Sequence, residues 1–278
     1  KARGRGDFHF YSRTLDDTSP QHLDWEARLH AAYHNGELTL VYQPIFPTNG
    51  TNPVAVEALL RWDHPDQGLL RPVVFLATVE RSGLIEPIGE WVVATACQQL
   101  RQWRASGGGH FPVSVNLSSR QLRQKDLLAK LQQAVASQGL APSDLHLEMP
   151  AETVGNDPDA LSVAEDLHQA GFGVVLDDFG RGPSRLADLS RLPLTGVKVD
   201  QELVAALPED GDTTTTIAGL VALAHALGWP VTAEGVENGA QLEQSRALGC
   251  DHLQGFRTGE PRLPYPETRF DEMAQAQS

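Results

Sequence analysis

The fold class this 278-residue sequence predicts is α/β, with strands and helices alternating around a barrel. Three observations predict it. Short apolar runs alternate with amphipathic stretches from Leu38 to Gln254, the rhythm of parallel strand–helix units. Glycines close the amphipathic stretches at Gly139, Gly171 and Gly228, where helix C-termini favour them. About eight strand-like runs fall within about 220 residues, which is what a (β/α)8 barrel needs. A doubly wound open sheet is the alternative, but no G-x-G-x-x-G follows the first strand.

The elements follow in order. Asp24 to Asn35 carries a helical pattern through Trp25, Leu29 and Ala32 and stops at Asn35-Gly36. Leu38 to Ile45 reads as the first strand and Val54 to Trp62 as the second. Pro72 to Ser82 and Gly89 to Ser106 read as helices, then Val113 to Leu117 as a strand. Leu122 to Gln138 is helical, Leu145 to Met149 a strand, Asp157 to Ala170 helical. Gly173 to Asp178 is a buried strand bounded by glycine, followed by a short helix over Ser184 to Ser190 and a strand over Val197 to Val199. Helices over Gln201 to Leu207 and Thr213 to Leu227, a strand at Val231 to Ala233, a helix at Gly239 to Leu248 and a strand at His252 to Gln254 complete the alternation. The tail after Gly259 is proline-rich and is expected to wrap the surface.

Composition sets limits. With 41% hydrophobic and 21% charged residues the chain suits one large core. The net charge of −14 argues against a bulk nucleic-acid surface, so an anionic ligand would need cations or a few placed basic groups. No apolar run is long enough to span a membrane. The two cysteines, Cys97 and Cys250, make no disulfide framework and fit a reducing, cytoplasmic setting, even if a parent protein were membrane-tethered. Residues 1–20 differ from the rest, with a basic start and a short alternating piece at Phe8, Phe10 and Tyr11. They read as a linker or the end of an upstream domain, before a barrel over 21–265 and a tail over 266–278.

Polar groups recur at the strand ends: Glu57, Asn116, Glu148, the pair Asp177 and Asp178, Lys198, Glu234 and Gln254. Each has a plain structural reading. Asn116 could cap a helix, Glu148 could pair with an arginine, and Lys198 between two valines could be a buried ion-pair partner. Together they are hard to explain that way, because each unpaired charge buried at one end of a barrel costs several kcal/mol. Divalent cations would remove the cost. Oxygen donors suit Mg²⁺ or Mn²⁺ over Zn²⁺, since His64, His146, His168, His225 and His252 share no metal-ligand spacing. Two such ions held by oxygens are the arrangement used for in-line attack on phosphate esters.

At these residues the sequence resembles the EAL domains, the cyclic di-GMP phosphodiesterases. YQPI at Tyr42–Ile45, EALLRWDHP from Glu57, SGLIEPIGEW, SVNLSSRQL, LDDFGRG, VKVD, AEGVE and CDHLQGF stand in the family's order. The resemblance covers about Leu38 to Gly259, and residues 1–11 resemble the end of a GGDEF (diguanylate cyclase) domain. It implies a modified barrel whose first strand runs antiparallel to the rest. It implies that Glu57, Asn116, Glu148 and Asp177 hold one Mg²⁺ or Mn²⁺, and that Asp177, Asp178 and Glu234 hold a second. A water between the metals would attack one phosphorus in line, giving pGpG. Lys198 would position that water and offset negative charge; Glu234 is alternatively the general base. Gln43, Leu59, Arg61, Arg120, Glu237 and Gln254 would line the substrate, Arg61 as a phosphate or guanine contact.

The sequence also departs from the pattern. Where the family continues E-x-T-E-S, this chain has Glu148-Met149-Pro150-Ala151-Glu152, so Ala151 stands in place of a glutamate that steadies the loop after the fifth strand. In that loop Arg181, Pro183 and Arg185 replace the usual Thr, Tyr and Ser. The ligand positions are intact, so hydrolysis is expected, with Ala151, Glu152 and Arg181 modulating loop order, metal affinity or a homodimer contact. Ala151→Glu is expected to raise activity if the loop is loose. A cyclic di-GMP receptor that does not cut its ligand is the alternative, and a silent scaffold a weaker one.

Overall fold

The computed structural model of the chain describes residues 20–107, 109–181 and 192–264. The upstream-domain reading of residues 1–19, the short helix at Ser184–Ser190, Pro183, Arg185 and the tail over 266–278 lie outside the described residues. No described helix is long and apolar enough to cross a membrane.

The order is α1 (Pro20–Asn35), β1 (Leu38–Pro47), β2 (Ala55–His64), β3 (Gly68–Leu70), α2 (Pro72–Ser82), α3 (Ile85–Ala105), β4 (Val113–Asn116), α4 (Leu127–Ser137), β5 (Leu145–Pro150), α5 (Ala151–Asn156), α6 (Pro158–Gln169) and β6 (Gly173–Phe179). After residues 182–191 come β7 (Gly196–Val199), α7 (Gln201–Ala205), α8 (Gly211–Ala226), β8 (Val231–Ala233), α9 (Gly239–Ala247) and β9 (His252–Leu253). Around the barrel the strands run β1-β2-β4-β5-β6-β7-β8-β9 and back to β1, while β3 only extends β2 as a hairpin. β1 is antiparallel to both neighbours, and the other barrel pairings are parallel. The expected inversion of the first strand is therefore present. Closure there is uneven: β1 meets β2 from Leu38 to Ile45 but meets β9 only at Phe46 and Pro47. Arg262 of the tail fills part of the gap, exchanging backbone hydrogen bonds with Tyr42 at 2.8 and 3.0 Å.

The strands form because their β-branched and aliphatic residues are buried on both barrel faces. Val113, Val115, Leu145, Leu147, Val174, Leu176, Val197 and Val231 belong to one core shared with the surrounding helices. A smaller core joins α1, α2 and β2 through Leu29, Phe75, Val79, Ile88 and Trp62. Trp62 meets the Trp25 ring edge-on at 5.4 Å and donates Nε1–H to Glu37 at 3.1 Å, satisfying its polar atom while its ring stays buried.

Differences from the expected elements have local causes. α3 starts at Ile85 and carries Gly89 inside it, because the Gln121 side chain lies where a Cβ at 89 would be. The predicted helix from Leu122 splits into a 3₁₀ turn at Gln121–Arg123 and α4. α5 and β3 are too short to leave a periodic trace.

Gly255 carries the tightest packing constraint near the site. A Cβ there would overlap the backbone N, C and O of Val236, whose own N–H and C=O bond to Gln254 O and Arg257 N at 3.0 and 2.9 Å. Backbone cannot yield as a side-chain end can. Gly255→Ala is expected to cost about 3 kcal/mol and lower the melting temperature, as overpacking against fixed atoms does; calorimetry checks it.

Candidate functional site

The carboxyl ends of the parallel strands, together with β2, gather the polar residues into one cup. Lys198, in β7 and 1% exposed, sits at its centre. Its Nζ lies 2.9 Å from Glu57 Oε2, 2.8 Å from Glu148 Oε2 and 2.5 Å from Glu234 Oε1. An ammonium has three N–H donors, and three carboxylates take them. Glu57 also accepts from Asn116 Nδ2 at 2.7 Å and from Gln254 Nε2 at 2.6 Å. Gln254 reaches Gln43 Oε1 at 3.3 Å, and Gln43 Nε2 donates to Gly259 O at 2.9 Å. The structural reading of Lys198 as a buried ion-pair partner is thus what the packing shows.

On the rim next to it, Asp177, Asp178 and Glu234 bring carboxylate oxygens within 4.8 Å of one another. Strand alternation alone would send neighbouring aspartates to opposite faces. A bulge overrides it. Leu176 pairs with Val197 and Phe179 with Val199, so two residues of β6, Asp177 and Asp178, stand opposite one, Lys198. Asp178 takes φ +54°, a left-handed conformation that aspartate tolerates better than most residues, and its N–H bonds to Asp177 Oδ1 at 2.9 Å.

The electrostatics follow from packing four acids, Glu57, Glu148, Glu234 and Asp177, around one ammonium. Burial raises Glu148 to about 8, the Glu57 and Asp177 charges add to this, and Lys198 opposes it. Glu234 is likewise raised well above the ordinary range, by burial first and then by Asp177, Glu57 and Glu148 against the pull of Lys198. Burial also works against the Glu57 carboxylate, but Lys198, Gln254 and Asn116 outweigh it and hold its pKa below the ordinary value. Lys198 is held charged despite burial by the surrounding acids. Asp178 is pushed up to about 6 by burial, then by Asp177 and Asp200, with Arg181 pulling it back.

Such a cup fits a divalent cation. Its donors are all oxygens, and Glu148 Oε1 is buried with no hydrogen-bond partner among the described residues. Asp177, Asp178 and Glu234 are the group the geometry makes ready to hold one.

Other expected residues fall at different places. Arg61 lies on the same face of β2 as Glu57; it is buried, and its Nη1 donates to Leu60 O at 2.8 Å. Leu59, between them, is half-buried. Glu237 is exposed at the entry to α9. Arg120 is not brought into the cup: it lies at the surface on Glu86 Oε1 at 3.1 Å and Glu80 O at 3.4 Å. Glu152 is exposed. Ala151 is 1% exposed and part of the main core. A glutamate there would bury a new carboxylate, so the expected gain from Ala151→Glu meets a desolvation cost. Ala151→Glu is now expected to lower the melting temperature, by about 1–3 kcal/mol of stability, in a thermal scan.

Sequence reasoning missed two features. Asp200 is 1% exposed and caps α7 by accepting from Glu202 N at 2.8 Å, while its Oδ2 faces Arg181 Nη1 at 3.6 Å. The VKVD string contains it, but nothing in the string marks it as facing Asp178. The bulge was equally silent.

A strand-end cup of acids around a buried lysine, in a barrel with one inverted strand, is an arrangement that could hold a divalent cation. The chain belongs to the EAL domain family, whose model matches residues 26–261. It is 39% identical over 94% of its length to MucR of Pseudomonas aeruginosa, named a bifunctional diguanylate cyclase/cyclic di-GMP phosphodiesterase. It is 33% identical over 94% of its length to PdeR of Escherichia coli, named a cyclic di-GMP phosphodiesterase. The chain spans only 38% and 39% of those two proteins. Among solved structures, a MucR phosphodiesterase in complex with c-di-GMP matches with TM-score 0.83 and 40% identity, covering 86% of this chain and 98% of that one.

Proposed function

We propose that this domain hydrolyses cyclic di-GMP to linear pGpG. The observation that carries the reading is the buried Lys198 bonded to Glu57, Glu148 and Glu234 beside the Asp177–Asp178 bulge. The similarity to a phosphodiesterase solved with c-di-GMP supports the substrate.

In this reading Glu57, Asn116, Glu148 and Asp177 would hold one Mg²⁺ or Mn²⁺, and Asp177, Asp178 and Glu234 would hold a second. Bound there, such ions supply charge neutralisation and lower the pKa of water. Water adds across one P–O3′ bond: phosphorus gains the water oxygen, the 3′-oxygen leaves with a proton, and a 5′-phosphate remains. Lys198, already charged and triply bonded, cannot serve as a base; it offsets negative charge growing on the phosphoryl oxygens. Glu234, raised by its surroundings, is the group suited to take the proton from water. Gln254 and Asn116 fix the Glu57 carboxylate, and Gln43 fixes Gln254. Arg61 and Leu59 line the approach for the nucleotide, with Glu237 on the rim.

The same reading suits a cytoplasmic domain that works beside a GGDEF-like domain and could pair as a homodimer, as the bifunctional relative MucR joins two such activities in one chain. Incubation with cyclic di-GMP and Mg²⁺ or Mn²⁺, followed by chromatography, tests the reaction. The expected product is pGpG. Tight binding with the ligand intact supports the receptor reading instead, which the apolar Ala151 favours.

A further inference from the structure

The loop leaving β6 carries the Asp177–Asp178 pair, and this chain ties it down in its own way. Arg181 N–H closes a turn on Asp178 O at 3.1 Å. Its guanidinium then reaches α7, with Nη1 3.6 Å from Asp200 Oδ2 and Nη2 3.5 Å from Glu202 Oε1. Asp200 Oδ2 is buried and has no hydrogen-bond partner among the described residues. Gly180, between these anchors, sits against Leu203 and Leu220, where a Cβ would lie 2.9 and 2.5 Å from their methyls. The site therefore holds a buried acid, Asp200, beside Asp178, and among the described residues Arg181 is the arginine that faces it. Without the arginine, the turn that carries Asp178 would lose its charged tie to α7.

We infer that Arg181 is a positioning residue for the Asp177–Asp178–Glu234 group: it neutralises Asp200 and clamps the first turn of the loop onto α7. This rests on the metal-dependent reading above. Although its side chain is 55% exposed, its partner Asp200 is shielded, so the pair is screened less than one on the open surface.

The test is Mn²⁺ binding, by calorimetry and electron paramagnetic resonance, in wild type, Arg181→Thr, Arg181→Lys, Asp200→Asn and the Arg181→Thr/Asp200→Asn double variant. Melting temperatures are read alongside. Arg181→Thr is expected to weaken Mn²⁺ binding about fivefold, and Arg181→Lys to restore most of it. With Asp200→Asn in place, removing Arg181 is expected to change affinity by less than about twofold, since only the exposed Glu202 is left to hold it. Unchanged or tighter Mn²⁺ binding by Arg181→Thr overturns the inference. So does an equal loss in both backgrounds, which marks a general packing effect. A wild-type chain that takes up no Mn²⁺ overturns the metal-dependent reading itself, and this inference with it.

Discussion

Lys198→Met removes hydrolysis and destabilises the fold together. Three carboxylates share this one ammonium at 2.5 to 2.9 Å, and Met fills the volume without the charge. Deleting one partner of a buried ion group costs about 3–5 kcal/mol, because the remaining charges stay buried unpaired. The carboxyls respond by taking up protons, and this gives the loss a pH dependence with a definite sign. Glu148 is raised from 4.5 to about 8 even with Lys198 present. A carboxyl raised in the folded state adds stability that is complete below its ordinary value and fades as pH climbs toward the folded value. Glu57, held below its ordinary value by Lys198 in wild type, is left to the upward pull of burial in the variant, which is therefore expected to lose stability relative to wild type as pH climbs from about 5 toward 8. Thermal scans in EDTA across that range check it. A flat difference would mean the acids find other partners. Added Mg²⁺ should recover more of the melting temperature in the variant than in wild type, as a divalent cation replaces the missing charge. Product formation is expected to fall by at least about 10²-fold.

Glu57→Gln is expected to cost chemistry more than folding. Glu57 accepts from Lys198, Asn116 and Gln254, and Gln preserves the shape while losing one charge. That charge is also one of the causes that raise Glu148 and Glu234. Removing it eases the crowding of Glu148 and Glu234 but gives up a charge the fold favours and turns one acceptor oxygen into a donor facing donors, so the melting temperature should fall, though by less than in Lys198→Met. Hydrolysis should drop by about 10²-fold or more, since a charged ligand and the fixing point for two amides are lost together. Chromatography of cyclic di-GMP and pGpG, run beside thermal scans, reads both. Retained hydrolysis would remove Glu57 from the reaction.

Much of this was legible in the sequence. Val174–Leu176, Val197–Val199 and Val231–Ala233 are apolar runs with turn residues at their ends, and they are strands. Asn116 closes β4, Glu234 and Gln254 follow β8 and β9, and Glu57, Glu148 and Lys198 lie inside their strands; the fold joins all six. Direction was not legible: β1 has the same pattern of buried residues whichever way it runs, and only the family resemblance implied its inversion. The bulge at Asp177–Asp178 was hidden because two adjacent aspartates spell a strand end as well as an irregularity. Whether an arginine points in or out depends on partners distant in sequence. Arg61 and Arg120 both sit in family motifs, yet one is buried on the face of Glu57 and the other lies on Glu86 at the surface.

The short ladder between β1 and β9 has a further consequence. Where the backbone offers only Phe46 and Pro47 to the last strand, the side chains of Gln43 and Gln254 bridge the two edges, and Gln254 in turn holds Glu57. The reacting centre is thus also the clasp that keeps the cylinder shut. Mutational drift in a lineage that abandoned the chemistry could discard Asp178 cheaply, since it closes nothing. Gln43 and Gln254 would remain under selection for as long as the domain stayed folded.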